Sequence, residues 1–336
     1  MVCDISLSKN KSKITQQSIF METTLDKTST FQSTLKKIQK PGLKEILQVQ
    51  QGIIRATHEF MYQNKLTQIM PLMLSPITDP LNHSVVDASI LYADQQWSLT
   101  KSMIFHKQLA LMNPELDAIY IVSPNVRLEL ADRKDTGRHL FEFTQVDFEF
   151  RDKKKEFVMD FMERLIAFVF DHLNKEIPET IKKLRGELLP KYSKLKLYRT
   201  EELEKQYGEH YEKEKSLEST EPFWLVNHKR EFYDKEDASK PNTYLNYDII
   251  WPEGYGEGLS GAEREFEYKQ ILKRMEETGT NQRVFANYLE AAKAGKLVSS
   301  AGAGFGVERM TRYICKLKDI DEATIFSRKP FSQPIF

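Results

Sequence analysis

The side chains richest in chemistry lie in FEFTQVDFEF, residues 141–150. Successive side chains of an extended strand point to opposite faces. Phe143, Gln145, Asp147 and Glu149 therefore share one face, and Thr144, Val146, Phe148 and Phe150 share the other. The second set is largely apolar and is expected to pack inward. One aromatic, one amide and two carboxylates on a single face suit a site for a cation, either an ammonium group or Mg2+, beside an aromatic stacking platform. A solvated outer face is the plainer alternative. Just upstream, in VRLE at 126–129, Arg127 and Glu129 point together by the same parity. A guanidinium there suits bidentate phosphate recognition; its plain counterpart is a surface ion pair that contributes little. Further on, Gly302, Gly304 and Gly306 lead into Glu308 and Arg309. Glycines permit unusual backbone angles and close approach. The run lacks the Gly-Lys-Ser/Thr of a phosphate-binding P-loop. It gains meaning from Arg309, three residues past the last glycine at a predicted helix start.

Those segments need elements to hold them. Helices are predicted at 43–61, 101–112, 157–173 and 266–277, where apolar residues return every three or four positions. Strands are predicted at 69–74, 95–100, 118–122, 125–130, 141–150, 223–226 and 244–251. Pro71 within the first of these suits an edge or an interface. The charge-dense stretch 182–215, which contains EELEKQYGEHYEKEK, reads as a solvated helical face. Strands and helices without regular βαβ alternation favour an α+β fold, an antiparallel sheet flanked by helices. Residues 1–35, rich in Ser, Thr, Lys and Gln, read as a mobile or loosely docked polar arm, and 36–336 as one domain.

Composition bounds the function. With 40% hydrophobic and 29% charged residues, the 336-residue chain is able to bury a sizeable core. Its 49 basic and 49 acidic side chains balance, which argues against nucleic acid as the main partner. No stretch reaches the roughly 18 apolar residues that cross a bilayer, and MVCDISLSKNKSKITQQ has no signal-peptide core. Cys3 and Cys315 are the two cysteines, which excludes a disulfide framework and points to a reducing, cytoplasmic setting.

Taken together, VRLE at 126–129, GRHLFEFTQVDFEF at 137–150, GEGLSGAERE at 256–265 and GAGFGVER at 302–309 resemble the class II aminoacyl-tRNA synthetase catalytic domain, in its aspartyl and asparaginyl branch. The resemblance covers about residues 40–336 and implies a class II synthetase fold. It implies that Arg127 grips the α-phosphate and Arg309 the γ-phosphate end of a bent ATP, as the catalytic pair. The implied ATP contacts extend to Glu129 at the adenine edge, to Phe143 stacked on adenine, and to Arg138, His139, Leu140 and Gly306. Gln145 and Asp147 are implied to meet the substrate ammonium, with Ser102, Lys107, Ser260, Gly261 and Arg264 completing the substrate site. Glu149 and Glu257, with Asp248, are implied as holders of Mg2+. Adenylation asks mainly for neutralised phosphate charge and an in-line carboxylate.

Lys107, in LTKSMIFHKQ, aligns with a lysine of the aspartyl enzymes. Paired with Arg264 it suits a carboxylate, which favours aspartate over asparagine. The chain also departs from the pattern. Lys101, Met103 and Ile104 stand where aspartyl enzymes carry Gln, Pro and Gln, and SPITDPLNHSVVD replaces the Glu-Gly loop after Pro71. No anticodon-binding barrel is found before the catalytic motifs. In this it is similar to the stand-alone archaeal-type asparagine synthetases. The resulting expectation is an AMP-forming aspartate–ammonia ligase. It would activate the aspartate β-carboxylate with Mg-ATP and let ammonia attack, with tRNA not expected as a partner. The alternatives are a ligase that passes aspartyl-adenylate to another amine, a carrier or tRNA, and a silent regulatory or RNA-binding paralogue. A homodimer through the segment around Pro71 is implied by the resemblance.

Overall fold

The computed structural model describes residues 27–192 and 194–333, so residues 1–26 of the predicted arm lie outside the described residues. In chain order the helices are α1 (Lys27–Ile38), α2 (Leu43–Gln63), α3 (Ile104–Ala110), α4 (Lys155–Glu176), α5 (Pro178–Arg185), α6 (Thr200–Tyr207), α7 (Tyr211–Glu218), α8 (Tyr268–Thr278), α9 (Ala286–Lys293) and α10 (Val307–Ile314). The strands begin with β1 (Thr67–Gln68), β2 (Leu74–Ser75), β3 (Val85–Val86), β4 (Ser89–Tyr92), β5 (Gln95–Leu99), β6 (Ala118–Val126) and β7 (Leu128–Glu129). They continue with β8 (Glu142–Arg151), β9 (Lys196–Arg199), β10 (Phe223–Val226), β11 (Asn246–Trp251), β12 (Gly256–Glu263) and β13 (Ser300–Gly306).

Eight strands form the main sheet in the order β1-β6-β8-β13-β12-β11-β10-β9. Its interior pairs are antiparallel, and the outermost pair at each edge is parallel. This is the α+β architecture expected of a class II synthetase fold. Helices α2, α4 and α10 cover one face. On α2, Leu43, Ile46, Val49, Ile53, Ala56 and Phe60 recur every three or four residues and are buried, the stripe a core-facing helix requires. On α4, Phe161 packs against Phe148 and Phe150 of β8, with ring centroids 5.3 and 4.8 Å apart. The parity of 141–150 therefore holds, with its apolar face on α4 and its polar face turned to the opposite side. There a second cluster joins Ile104 and Phe105 of α3 to Phe232, Tyr233, α8 and α9. A third ties Leu203, Tyr207 and Tyr211 of α6 and α7 to β10 and β11.

Several elements differ from the sequence reading. Strand β6 runs unbroken from Ala118 to Val126, with Pro124 opposite Thr144. Residues 69–73 are not a strand but a connection between β1 and β2. The predicted helix 101–112 shortens to α3, which starts after Ser102 and Met103. The glycine segments become strands, β12 and β13, inside the main sheet. The stretch 182–215 is not one solvated helical face but α5, β9, α6 and α7. Among the described residues no helix is long and apolar enough to cross a membrane.

Candidate active site

Strands β8, β13, β12 and β11 lay a floor beneath a cavity of about 530 Å³. Register explains how. Gln145, Asp147 and Glu149 of β8 lie opposite Gly306, Gly304 and Gly302 of β13. A Cβ on Gly304 would stand 2.6 Å from Asp147 Oδ1 and also strike Gln145, and one on Gly302 would strike the Phe148 carbonyl and the Glu149 carboxylate. The glycine run is thus a strand stripped of side chains to make room for carboxylates, not a loop that wraps phosphate.

One end of the cavity is rich in arginine. Arg127 lies over the Phe143 ring at 5.2 Å from its centroid, and its Nε donates to the Lys101 carbonyl at 3.1 Å. Arg309 Nη1 donates to Glu257 Oε1 at 2.8 Å. Arg138 faces Glu212 Oε1 at 3.6 Å. His139 stands close by, with Nδ1 2.6 Å from Thr136 Oγ1. Burial, then Arg309 and Arg138, push its pKa down to about 3, so it is neutral at working pH. Glu129 is buried, and its carboxylate meets His83 Nε2 at 3.1 Å. Burial pushes Glu257 up, but Arg309, Arg138, Arg230 and Arg127 outweigh it and hold the carboxyl at about 2.

The other end is a buried network of charge. Lys107, only 1% exposed, directs Nζ at Asp147 Oδ1 (3.0 Å), Glu149 Oε2 (3.4 Å) and the carbonyls of Phe148 and Ala303. Arg264 binds Glu149 through Nε at 3.1 Å and faces Asp234 at 3.6 Å. Ser102 donates to Asp79 Oδ2 at 2.9 Å, and Tyr233 to Asp79 Oδ1 at 3.2 Å. Arg230 joins Asp234, Asp248 and Ser260. Burial raises Asp248 to about 6 even beside Arg230, with Glu257 adding to the rise, and it raises Glu231 to about 7.

Of the site residues that the resemblance implies, all except Glu149 line this one cavity, Leu140, Gly306, Gln145 and Gly261 among them. The metal role expected of Glu149 is corrected. Its carboxylate is fully buried and engaged by Arg264, Lys107 and Ser300 Oγ, which leaves no room for an ion with its waters. Glu257 and Asp248 are hard oxygen donors of the kind Mg2+ takes together with phosphate oxygens. Glu257 fits, whereas both oxygens of Asp248 accept from Arg230. Among the described residues no group of three or more His, Cys, Asp or Glu is set to hold a metal ion unaided. A carboxylate preference drawn from Lys107 and Arg264 is corrected too, because Asp147, Glu149 and Asp234 already match both cations.

Sequence reasoning passed over Asp79, Arg230, Glu231, Asp234 and Glu212. Asp79 lies in the very segment that departs from the family pattern. Glu212 lies in the charge-dense run, where Leu203, Tyr207 and Tyr211 at four-residue spacing were the signal of an inward face.

The family described as tRNA synthetases class II (D, K and N) matches residues 26–330. An asparagine–tRNA ligase of Pyrococcus abyssi is 26% identical over 312 residues, covering 87% of this chain and 70% of the relative. That of Thermococcus kodakarensis is 26% identical over 342 residues, 95% of this chain and 78% of the relative. The solved asparaginyl-tRNA synthetase of Pyrococcus horikoshii in complex with asparaginyl-adenylate superposes with a TM-score of 0.79 at 24% identity, covering 88% of this chain and 71% of that one. These relatives overturn the expectation of a tRNA-independent aspartate–ammonia ligase. The expectation leaned on reading no anticodon-binding barrel ahead of the motifs, yet relatives that align with nearly all of this chain are named asparagine–tRNA ligases. They equally overturn the expectation that tRNA is no partner.

Proposed function

We propose that this chain, which belongs to the family of class II tRNA synthetases of types D, K and N and is an ATP-dependent ligase, activates asparagine with ATP and passes the asparaginyl group to tRNA. The observation that carries the reading is the state of the amino-acid end of the cavity. Lys107 and Arg264 are spent on Asp147, Glu149 and Asp234, while Asp147 Oδ2 is buried without a hydrogen-bond donor. A side-chain carboxylate would meet surplus negative charge there. A substrate with ammonium and carboxamide N–H groups supplies the missing donor.

The chemistry asked of the chain is positioning and charge. Arg127 and Arg309 neutralise the phosphates while Phe143 stacks on the adenine ring. The asparagine α-carboxylate attacks the α-phosphorus and pyrophosphate leaves. A ribose hydroxyl at the tRNA terminus then attacks the acyl carbon and AMP leaves. Glu257, with Asp248 nearby, would hold Mg2+ together with the ATP phosphates, and the ion would supply neutralisation of phosphate charge. His139 and Arg138 border the same phosphates. A dimer through the segment around Pro71 is supported by the exposed Tyr62, Met70, Leu72 and Met73. The buried free thiol of Cys315 suits a reducing cytoplasm.

Pyrophosphate–ATP exchange tests the first step, with asparagine expected to exceed aspartate at least a hundredfold in kcat/KM. Exchange driven better by aspartate refutes the choice of acid. Transfer of labelled asparagine to bulk tRNA tests the second step, and adenylate formation without acylated tRNA refutes the acceptor.

A further inference from the structure

Asp248 and Ser260 face each other across the β11–β12 pair, at the centre of the cavity floor. Between them sits Arg230, from the connection between β10 and β11. Its Nη1 donates to Asp248 Oδ1 at 2.9 Å, Asp248 Oδ2 at 3.1 Å and Ser260 Oγ at 2.8 Å. Its Nη2 donates to Asp234 Oδ2 at 3.2 Å and the Gly261 carbonyl at 3.3 Å, and its Nε to Asp234 Oδ2 at 3.3 Å. Every nitrogen of the planar guanidinium is thereby engaged. The anchor at Asp234 is itself fixed by Asn246 Nδ2 at 2.9 Å and by Arg264 at 3.6 Å. Pulling Arg230 out would strand buried carboxylates, which a folded chain resists. A divalent ion on Asp248 and Ser260 would need the lone pairs that Nη1 now occupies, and it would sit against a fixed positive charge.

We propose that Arg230 is a resident cation that fills the Asp248–Ser260 half of the site, so that a divalent ion arriving with ATP has Glu257 as its protein carboxylate and a second ion position beside Asp248 is closed. The proposal rests on the reading of the cavity as an ATP site. It differs from a general requirement for Mg2+ because it assigns the charge next to Asp248 to the protein itself. A guanidinium held by six hydrogen bonds also needs no loading and no reorganisation when substrate arrives.

The test counts ions rather than turnover. The full chain is mixed with α,β-methylene-ATP, binding of the analogue is measured first by calorimetry, and Mn2+ is titrated while its free EPR signal is recorded. The wild type is expected to bind one Mn2+ per chain with the analogue, Arg230→Lys also one, and Arg230→Met two. Two ions on the wild type, or one on a folded Arg230→Met, overturns the proposal. Should Arg230→Met fail to fold, Asp248→Asn decides. Mn2+ affinity within threefold of wild type supports the proposal, and a tenfold loss overturns it, since Asp248 is then a ligand. Failure of the wild type to bind the analogue at all overturns both the ATP reading and this proposal. Normal analogue binding with two ions overturns this proposal alone.

Discussion

Lys107 Nζ lies within hydrogen-bonding distance of four acceptors, two of them carboxylates, yet an ammonium has three protons. It is therefore a fixed counter-charge for Asp147 and Glu149 rather than a free hand for substrate. Lys107→Met should destabilise the fold by about 3–5 kcal/mol, because it leaves buried carboxylates uncompensated. Adding Asp147→Asn should recover part of that loss, and urea titration of the single and double variants measures both. Glu308 gives a second residue-scale expectation. Its buried carboxylate accepts from the Thr144 amide at 3.0 Å, and burial raises its pKa to about 7 from an ordinary 4.5. The folded state then keeps a proton that the unfolded state gives up between those values, so this group's share of stability is complete below 4.5 and is lost as pH rises through 7. Glu308→Gln should match wild type in thermal unfolding at pH 4.5 and exceed it at pH 8, by up to about 3 kcal/mol. At this scale the sequence was legible wherever strand parity decides a face, as along 143–149. It was illegible where a side chain's partner comes from far along the chain. Glu149 shares the polar face with Asp147, and nothing in its neighbourhood announces that Arg264 and Lys107 close over it.

Strand β13 carries the contrast at the scale of elements. Both Gly302 and Gly304 face carboxylates across the β8 ladder, but the first also abuts backbone, the Phe148 carbonyl, whereas the second meets side-chain ends of Gln145 and Asp147. Side-chain ends can swing and a ladder carbonyl cannot. Gly302→Ala should therefore lower the melting temperature by many degrees, while Gly304→Ala should fold and lose asparagine-dependent pyrophosphate exchange. Circular dichroism and the exchange assay separate the two, and equal loss of folding in both variants would contradict the distinction. The sequence marked the run only as glycines entering a helix, because glycine count alone does not reveal a strand. Only the register with β8 shows that alternate glycines share the crowded face. Likewise α6 and α7 were hidden by their charge. Their buried side is narrow, a stripe of Leu203, Tyr207 and Tyr211, and a run dominated by Glu and Lys masks so few inward positions.

For the whole molecule, a net charge of zero misled on nucleic acid. Summed charge says nothing of where charges stand, and here acids gather inside the cavity while Arg127, Arg138 and Arg309 gather at one end of it. Exposed apolar side chains also stand close in sequence, at Tyr62, Met70, Leu72 and Met73 and again at Ile90, Leu91 and Tyr92, the kind of residue that an interface covers. This segment is wired to the active site through backbone bonds. The Thr100 amide donates to the Met73 carbonyl at 3.0 Å, the Val126 amide donates to the Thr100 carbonyl at 2.9 Å, and Arg127 Nε donates to the Lys101 carbonyl. A subunit packed on Met70–Met73 would therefore brace the strand end that carries Arg127. The double change Met70→Glu with Met73→Glu should convert a dimer to a monomer in analytical ultracentrifugation. It should also lower the rate of pyrophosphate exchange more than it raises the KM for asparagine, since Arg127 is proposed to hold the ATP phosphates. A monomeric variant with unchanged exchange would leave the apolar segment an interface without a catalytic consequence and would break the proposed link.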